Sequence, residues 1–336
     1  MNEYLFHVFF IAYSLLIYKY RNKISLFLGI MDFPDNSRKS HLSPVPCIGG
    51  LIIFPYISCS LIALYFISFI KIKILLIWLI IFTSFFITGY LDDKIHLNAK
   101  TKTFILLFIL FIVLPLDKSL IIEYLIFKDV KYPILLNQGS LFFTIFCIYF
   151  FYNSLNFSDG LNGISITLSI YFLITIIIAR SEFNIFYLSL IVGLLVVLLP
   201  NLLNKIFIGN SGVSFLASVI FLLLIDSYKN GYLLFDEIIL IVFLPTVDAV
   251  RITLERIIKG YSPFASDKNH FHHLLAKIFD KKYVFIPYLI FAILPYLLSK
   301  INVISYVSFS IFAIIYFLIF LLLRKKNVWN NITLYN

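Results

Sequence analysis

"ILLIWLIIFTSFFITGYLDDK", residues 74–94, decides the fold class. Its first part, 74–91, stays apolar for long enough to cross the hydrocarbon core of a bilayer as a helix, which takes roughly 20 residues. It then stops on two adjacent acids, Asp92 and Asp93. Comparable windows recur at 3–20, 47–70, 102–121, 140–157, 161–179, 185–204, 212–229, 236–255, 284–300 and 301–323. The window at 284–300 is interrupted by Pro287 and Pro295. Of the 336 residues, 61% are hydrophobic and 13% charged, whereas soluble domains carry about a quarter charged. The expectation is an all-α integral membrane protein of about eleven transmembrane helices. It forms one polytopic domain over 1–336, with no separate soluble domain and no internal repeat.

The N-terminal stretch lacks a basic region ahead of its apolar run and a small-residue cleavage site, and Arg21 and Lys23 follow it, so it reads as a retained first span. Cys47, Cys59 and Cys147 lie in or near spans without metal-ligand spacing, which points to neither a disulfide framework nor a zinc site. A net charge of +10 suggests a polyanionic partner, but its distribution reads as topology. With the N-terminus outside and the C-terminus cytoplasmic, 19 of the 27 Lys and Arg residues fall on the inner side, as the positive-inside rule requires. The lipid bilayer is then the expected environment, and no nucleic-acid partner is expected.

The same topology sends five polar clusters to one face. They are "DFPDNSRKSHLSPVPCIGG" (32–50), "GYLDDKIHLNAKTK" (89–102), "NSLNFSDGLNG" (153–163), "NKIFIGNSG" (204–212) and the segment 248–283, which contains "NHFHHLL". The outer loops hold only scattered polar residues, except 117–139, where "IIEYLIF" and "VKYPILL" flank Lys128-Asp129 in the pattern of a small hairpin. Clusters confined to one face predict one site.

An acid at a membrane boundary is costly and by default a functional candidate. Successive helical positions differ by about 100°, so Asp92 and Asp93 point apart, one toward a metal and the other toward a substrate group or a proton. Asn153, Asn156 and Asp159, spaced i, i+3, i+6, share one helix face, and oxygen donors so stacked suit a hard cation with phosphates. "GNSG" reads either as a glycine-permitted turn or as a phosphate cradle at a helix N-terminus. In 270–279 the apolar residues follow helical spacing, with His270, His273 and Lys277 as a polar stripe and His272 on its flank. That stripe favours a diphosphate or nucleotide over an interfacial helix. Arg38, Lys39, His41, Lys100 and Arg256 add to a cytoplasmic cationic surface. Acids for a divalent cation, cations for phosphate and a membrane body together point to phosphoryl transfer involving a lipid.

In order, the motifs "RKSHLSPVPCIGG", "LDD" with Lys100 downstream, "NSLNFSDGLNG", "IFIGNSG" and "PTVDAVRITLERIIKGYSPFASDKNHFHHLL" make the chain resemble the polyprenyl-phosphate N-acetylhexosamine-1-phosphate transferases, over about residues 30–280. The "HFHH" form is similar to the WecA-like branch, whereas the related MraY-type branch usually has three consecutive His. The resemblance implies transfer of N-acetylhexosamine 1-phosphate, foremost GlcNAc 1-phosphate, from a UDP-N-acetylhexosamine to undecaprenyl or another polyprenyl phosphate. UMP leaves, the cofactor is Mg²⁺ with Mn²⁺ as substitute, and the product feeds a surface polysaccharide such as O-antigen. It also implies a multi-pass protein of the bacterial plasma membrane with a cytoplasmic active site, for which a homodimer is a permitted assembly.

On that basis Asp92, Asp93 and Asp159 are the expected catalytic acids. Asp92, Asn156 and Asn210 are the expected metal ligands. Arg38, Lys39, His41, Lys100, Asn153, Asn162, Arg256, His270, His272 and His273 are the expected substrate contacts. Two positions depart from the family pattern: Asn210 stands where a metal-binding Asp is usual, with Val213 after Gly212 where Ser is usual, and Asn162 replaces the second acid of "DGLDG". The alternatives are a weakened or inactive relative serving as an assembly or binding subunit, and an ion-coupled transporter. The transporter predicts acids near span centres and related halves of the chain.

Overall fold

A computed structural model describes residues 3–34, 43–68, 71–263, 269–301 and 303–332. Its helices are α1 (Glu3–Lys19), α2 (Arg21–Leu28), α3 (Gly49–Ser68), α4 (Ile72–Ile95), α5 (Ala99–Val113), α6 (Ser140–Ser158) and α7 (Ile164–Arg180). There follow α8 (Ile185–Leu202), α9 (Gly209–Lys229), α10 (Phe235–Ile241), α11 (Phe243–Ile258), α12 (Phe271–Leu275), α13 (Phe285–Lys300) and α14 (Ser305–Ile332). Among the described residues seven helices are long and apolar enough to cross a membrane, and α1, α7 and α13 contain shorter apolar stretches. The chain is an all-α integral membrane protein.

Where the helices begin follows from local chemistry. Asn98 accepts the amide of Thr101 at 2.8 Å and caps α5, and Asn184 accepts the amides of Phe186 and Tyr187 to cap α8, each satisfying donors that a helix start leaves free. The segment 117–139 forms the expected hairpin, β3 (Tyr124–Leu125) against β4 (Ile134–Leu135), with Tyr124 opposite Leu135. A second small ribbon, β1 (Met31–Asp32) with β2 (Val45–Pro46), lies in the loop before α3.

α9 is the axis of the molecule, buried along almost its whole length. A helix apolar all round belongs in an interior, and the small residues Ser211, Gly212, Ser214 and Ser218 let neighbours come close. Gly89 of α4 meets the backbone of Asn210 and Ser211, and Gly50 of α3 meets Gly212. The strand-like segment before α9 is tied to the start of α3: Phe207 donates to the Pro46 carbonyl, and Gly49 and Gly50 donate to the carbonyls of Phe207 and Ile208. Two quoted motifs, "PVPCIGG" and "IFIGNSG", therefore meet backbone to backbone.

Two expectations are corrected. The window 236–255 is not one helix but two, α10 and α11, interrupted at Val242 (φ −93°, ψ 11°). Pro245 has no N–H to give the Ile241 carbonyl, and it sits in the first turn of α11, where none is needed. The helix anticipated over 270–279 is also short: α12 ends at Leu275, and Lys277, Ile278 and Phe279 bond back to Leu274 and Leu275 as isolated turns. That turn swings Ile278 and Phe279 outward instead of onto the core face.

Candidate active site

The two acids at the end of α4 do point apart. Asp92 Oδ2 accepts Lys102 Nζ at 2.8 Å, and Lys102, from the first turns of α5, lies 5.6 Å from the ring centre of Tyr152 on α6. Asp93 turns to α9: Oδ1 accepts the amide of Asn210 at 2.7 Å and Oδ2 that of Ser211 at 2.9 Å. Two charge-assisted bonds at a helix N-terminus make Asp93 the cap of α9. Both Asp93 oxygens are engaged in holding the fold, and the amides of "GNSG" are capped from within, so the motif is a turn with φ +74° at Gly209 and not an open phosphate cradle.

On α6, Asn156 Nδ2 donates to Asn210 Oδ1 at 3.2 Å. One turn away on each helix, Ser214 Oγ donates to the Tyr152 hydroxyl at 3.4 Å. α6 and α9 are thus joined by two polar rungs, the second of which lies against Lys102 and so beside Asp92. Asn156, Asn210 and Asp92 are brought into one neighbourhood. Asn153 is not: its amide donates to the Tyr149 carbonyl of its own helix at 2.8 Å. Asn162 is also diverted, donating to Asn204 Oδ1 at 2.7 Å across the loops after α6 and α8.

Asp159 closes α6 and accepts a hydrogen bond from Ser165. Burial pushes its carboxyl up to about 7; the Ser165 bond opposes this, and the nearby Asp93 charge adds to it. A carboxylate so poised can exchange a proton near neutral pH.

The His segment is buried rather than displayed as a polar stripe. His270 Nδ1 lies 3.2 Å from Asp248 Oδ2, and its ring is 5.4 Å from both His272 and Phe157. His272 is fully buried against Gly160, where an added Cβ would run into its Nε2. Burial, then the charges of His273 and His270, hold its imidazole well below the ordinary value, so it is neutral. His273 is half-buried beside it, while Lys277 is exposed. Polar side chains of a membrane protein turn inward, whereas the stripe reading assumed water on one side of the helix. Arg256 is likewise buried, donating to the Pro263 carbonyl at 2.7 Å and lying over Phe157. It is not part of an exposed cationic surface.

Lys100 is exposed, and Lys102 takes the role of cation beside the acid. Arg38, Lys39 and His41 lie outside the described residues. Sequence reasoning missed Lys102, Tyr152, Asp248, Arg251 and Tyr316. Asp248 and Arg251, three apart and so on one face of α11, were the available signal.

Beside Arg251, α6, α9, α10, α11 and α14 line an open cavity of about 800 Å³. Its walls are apolar, with Phe146, Phe150, Ile225 and Phe317 among them, and Arg251, Glu255, Lys259 and Arg324 also line it.

The profile of "Glycosyl transferase family 4" matches residues 74–228, the segment that carries Asp92, Asp93, Asn156, Asp159 and Asn210. The undecaprenyl-phosphate alpha-N-acetylglucosaminyl 1-phosphate transferase of Salmonella typhi is 23% identical over 269 residues, 76% of this chain and 71% of the relative. The protein of the same description from Escherichia coli (strain K12) is 22% identical over 317 residues, 90% of this chain and 84% of the relative. A probable undecaprenyl-phosphate N-acetylglucosaminyl 1-phosphate transferase of Bacillus subtilis (strain 168) is 29% identical over 262 residues, covering 75% and 71%. Three of the five sequence motifs lie inside the matched segment, and the acids and amides are drawn to one end of the helices; residues 74–228 thus resemble glycosyl transferase family 4, and the chain is similar to polyprenyl-phosphate N-acetylhexosamine-1-phosphate transferases.

Proposed function

We propose that this transferase moves N-acetylglucosamine 1-phosphate from UDP-N-acetylglucosamine to undecaprenyl phosphate, at the cytoplasmic face of a bacterial plasma membrane. An oxygen of the lipid phosphate attacks the sugar-bearing phosphorus. The new P–O bond forms as the bond from that phosphorus to the bridging oxygen breaks, and UMP leaves with the electron pair. The sugar–oxygen bond stays intact. The observation that carries this reading is the gathering of the Asp92–Lys102 and Asn156–Asn210 pairs at one end of a helical body that also holds an apolar cavity of about 800 Å³ lined by Arg251, Glu255, Lys259 and Arg324. A charged reacting group and an isoprenoid tail need both features.

Among the described residues no three His, Cys, Asp or Glu side chains are disposed to hold a metal ion between them, so a cation here would draw on few protein charges. That suits Mg²⁺, which binds through one or two carboxylates and completes its shell with water and substrate phosphate. Asp92 and the amide oxygens of Asn156 and Asn210 would hold it, and Mn²⁺ has the same preference for oxygen. When bound, the ion supplies neutralisation of the diphosphate charge. Lys102 sits where it can compensate negative charge beside Asp92, and Arg256 with His270 would face donor phosphate or nucleotide. Asp159 would take the residual proton of the lipid phosphate, whose second ionisation lies near pH 6. Asp93 holds α9 in place.

Purified protein with radiolabelled UDP-N-acetylglucosamine, undecaprenyl phosphate and Mg²⁺ should place label in the organic phase. Label that stays aqueous under all metal and donor conditions would instead mark an inactive relative.

A further inference from the structure

We infer that Tyr316, on the last helix, is a positioning residue that acts through Asp248 to orient His270. The inference rests on the transferase reading above. Tyr316 is fully buried. Its hydroxyl donates to Asp248 Oδ1 at 2.6 Å and accepts Arg251 Nε at 2.7 Å. Arg251 Nη2 donates to the same Asp248 oxygen at 2.8 Å and to the Asn269 carbonyl at 2.7 Å, so it grips the residue just before His270. Asp248 Oδ2 lies 3.2 Å from His270 Nδ1, and the amide of Phe271 also donates to the carboxylate. Asp248 therefore receives donors from α11, α12 and α14 together.

Two consequences follow from elementary chemistry. A carboxylate only accepts, so His270 Nδ1 must carry the hydrogen in either charge state, which fixes the tautomer and leaves Nε2 as the working nitrogen. Arg251 already neutralises Asp248, so the bond does not require a charged imidazole. Tyr316 lies well beyond residue 228, where the family match ends, so α14 joins the site through a buried hydrogen bond. A side chain held this way loses its aim when one partner is removed, and small misplacement is costly in transfer chemistry.

The test is a double-mutant cycle in the purified full chain, reading kcat/KM for UDP-N-acetylglucosamine in wild type, Tyr316→Phe, His270→Ala and the double variant. Tyr316→Phe should lower kcat/KM about tenfold, and the double variant should be no worse than His270→Ala alone. Unchanged kinetics in Tyr316→Phe, or losses that multiply in the double variant, would overturn the inference. If Tyr316→Phe shows no cooperative thermal transition, Asp248→Asn takes its place in the same cycle with the same two outcomes. A folded wild type without transfer overturns the transferase reading and this inference together. An active wild type with multiplying losses overturns the positioning role alone.

Discussion

Asp92 and Asp93 are adjacent and chemically identical, yet their surroundings give them different work. Asp92 faces Lys102, whereas Asp93 satisfies two backbone amides at the start of α9. Asp92→Asn should cut turnover at least about tenfold, about 1.4 kcal/mol of barrier, with little change in thermal midpoint. Asp93→Asn should instead cost stability of about 1–3 kcal/mol, because an amide side chain offers one acceptor where two donors wait in the interior. Parallel measurement of kcat and melting for both variants checks this division; equal kinetic loss with equal stability would contradict it. Asn210 is the second residue of α9, where added negative charge suits the helix dipole. Asn210→Asp keeps an acceptor for Asn156 and should lower the Mg²⁺ concentration that half-saturates a thermal shift; overlaid titrations would remove Asn210 from the proposed set of metal ligands. His272 sets a pH dependence. Its imidazole is held well below the ordinary value in the fold, so below about pH 6.5 the unfolded chain binds a proton that the folded one does not. Stability from this group is full above that pH and is lost on acidification. Asp159, raised to about 7, contributes in the opposite direction, so the informative comparison is between wild type and His272→Gln. The melting curve of the variant should fall less between pH 7.5 and 5, and parallel curves would contradict a neutral buried His272.

At the scale of elements, the site exists because glycines let backbones touch. An added Cβ at Gly89 would collide with the backbone of Asn210, and one at Gly160 with the His272 ring. Gly89→Ala has no flexible neighbour to displace, so it should push α4 from α9 and lower both stability and activity. Gly160→Ala meets a side chain, and its defect should be relieved in part by His272→Ala; failure of that rescue in a melting and activity comparison would mean that the loop, not the ring, is disturbed. The helices themselves were legible from apolar windows, because in a bilayer length and hydropathy decide nearly everything. Nine of the eleven windows fall on single helices; 102–121 runs past the end of α5 at Val113 into 3₁₀ turns, and 236–255 breaks three residues before Pro245. The acids and amides of α4, α6 and α9 were legible as well. Their partners were not: Lys102 rather than Lys100 meets Asp92 because of how α5 leans on α4 and α6, and no local pattern encodes that register. Nor could periodicity reveal that His270 and His272 face inward, since their burial depends on α6, α11 and α14 surrounding a short helix.

In the whole molecule, polar side chains gather at one end of the helices, and an apolar cavity of about 800 Å³ lies among α6, α9, α10, α11 and α14; a lipid phosphate acceptor needs both features. The most direct measurement uses UDP-N-acetylglucosamine labelled separately in the sugar and in its β-phosphate, incubated with purified protein, undecaprenyl phosphate and Mg²⁺. The expected result is a lipid product that carries both labels in equal amount, with UMP as the nucleotide released. Sugar label alone in the lipid with release of UDP, or no labelled lipid from folded protein, would contradict transfer of the sugar 1-phosphate.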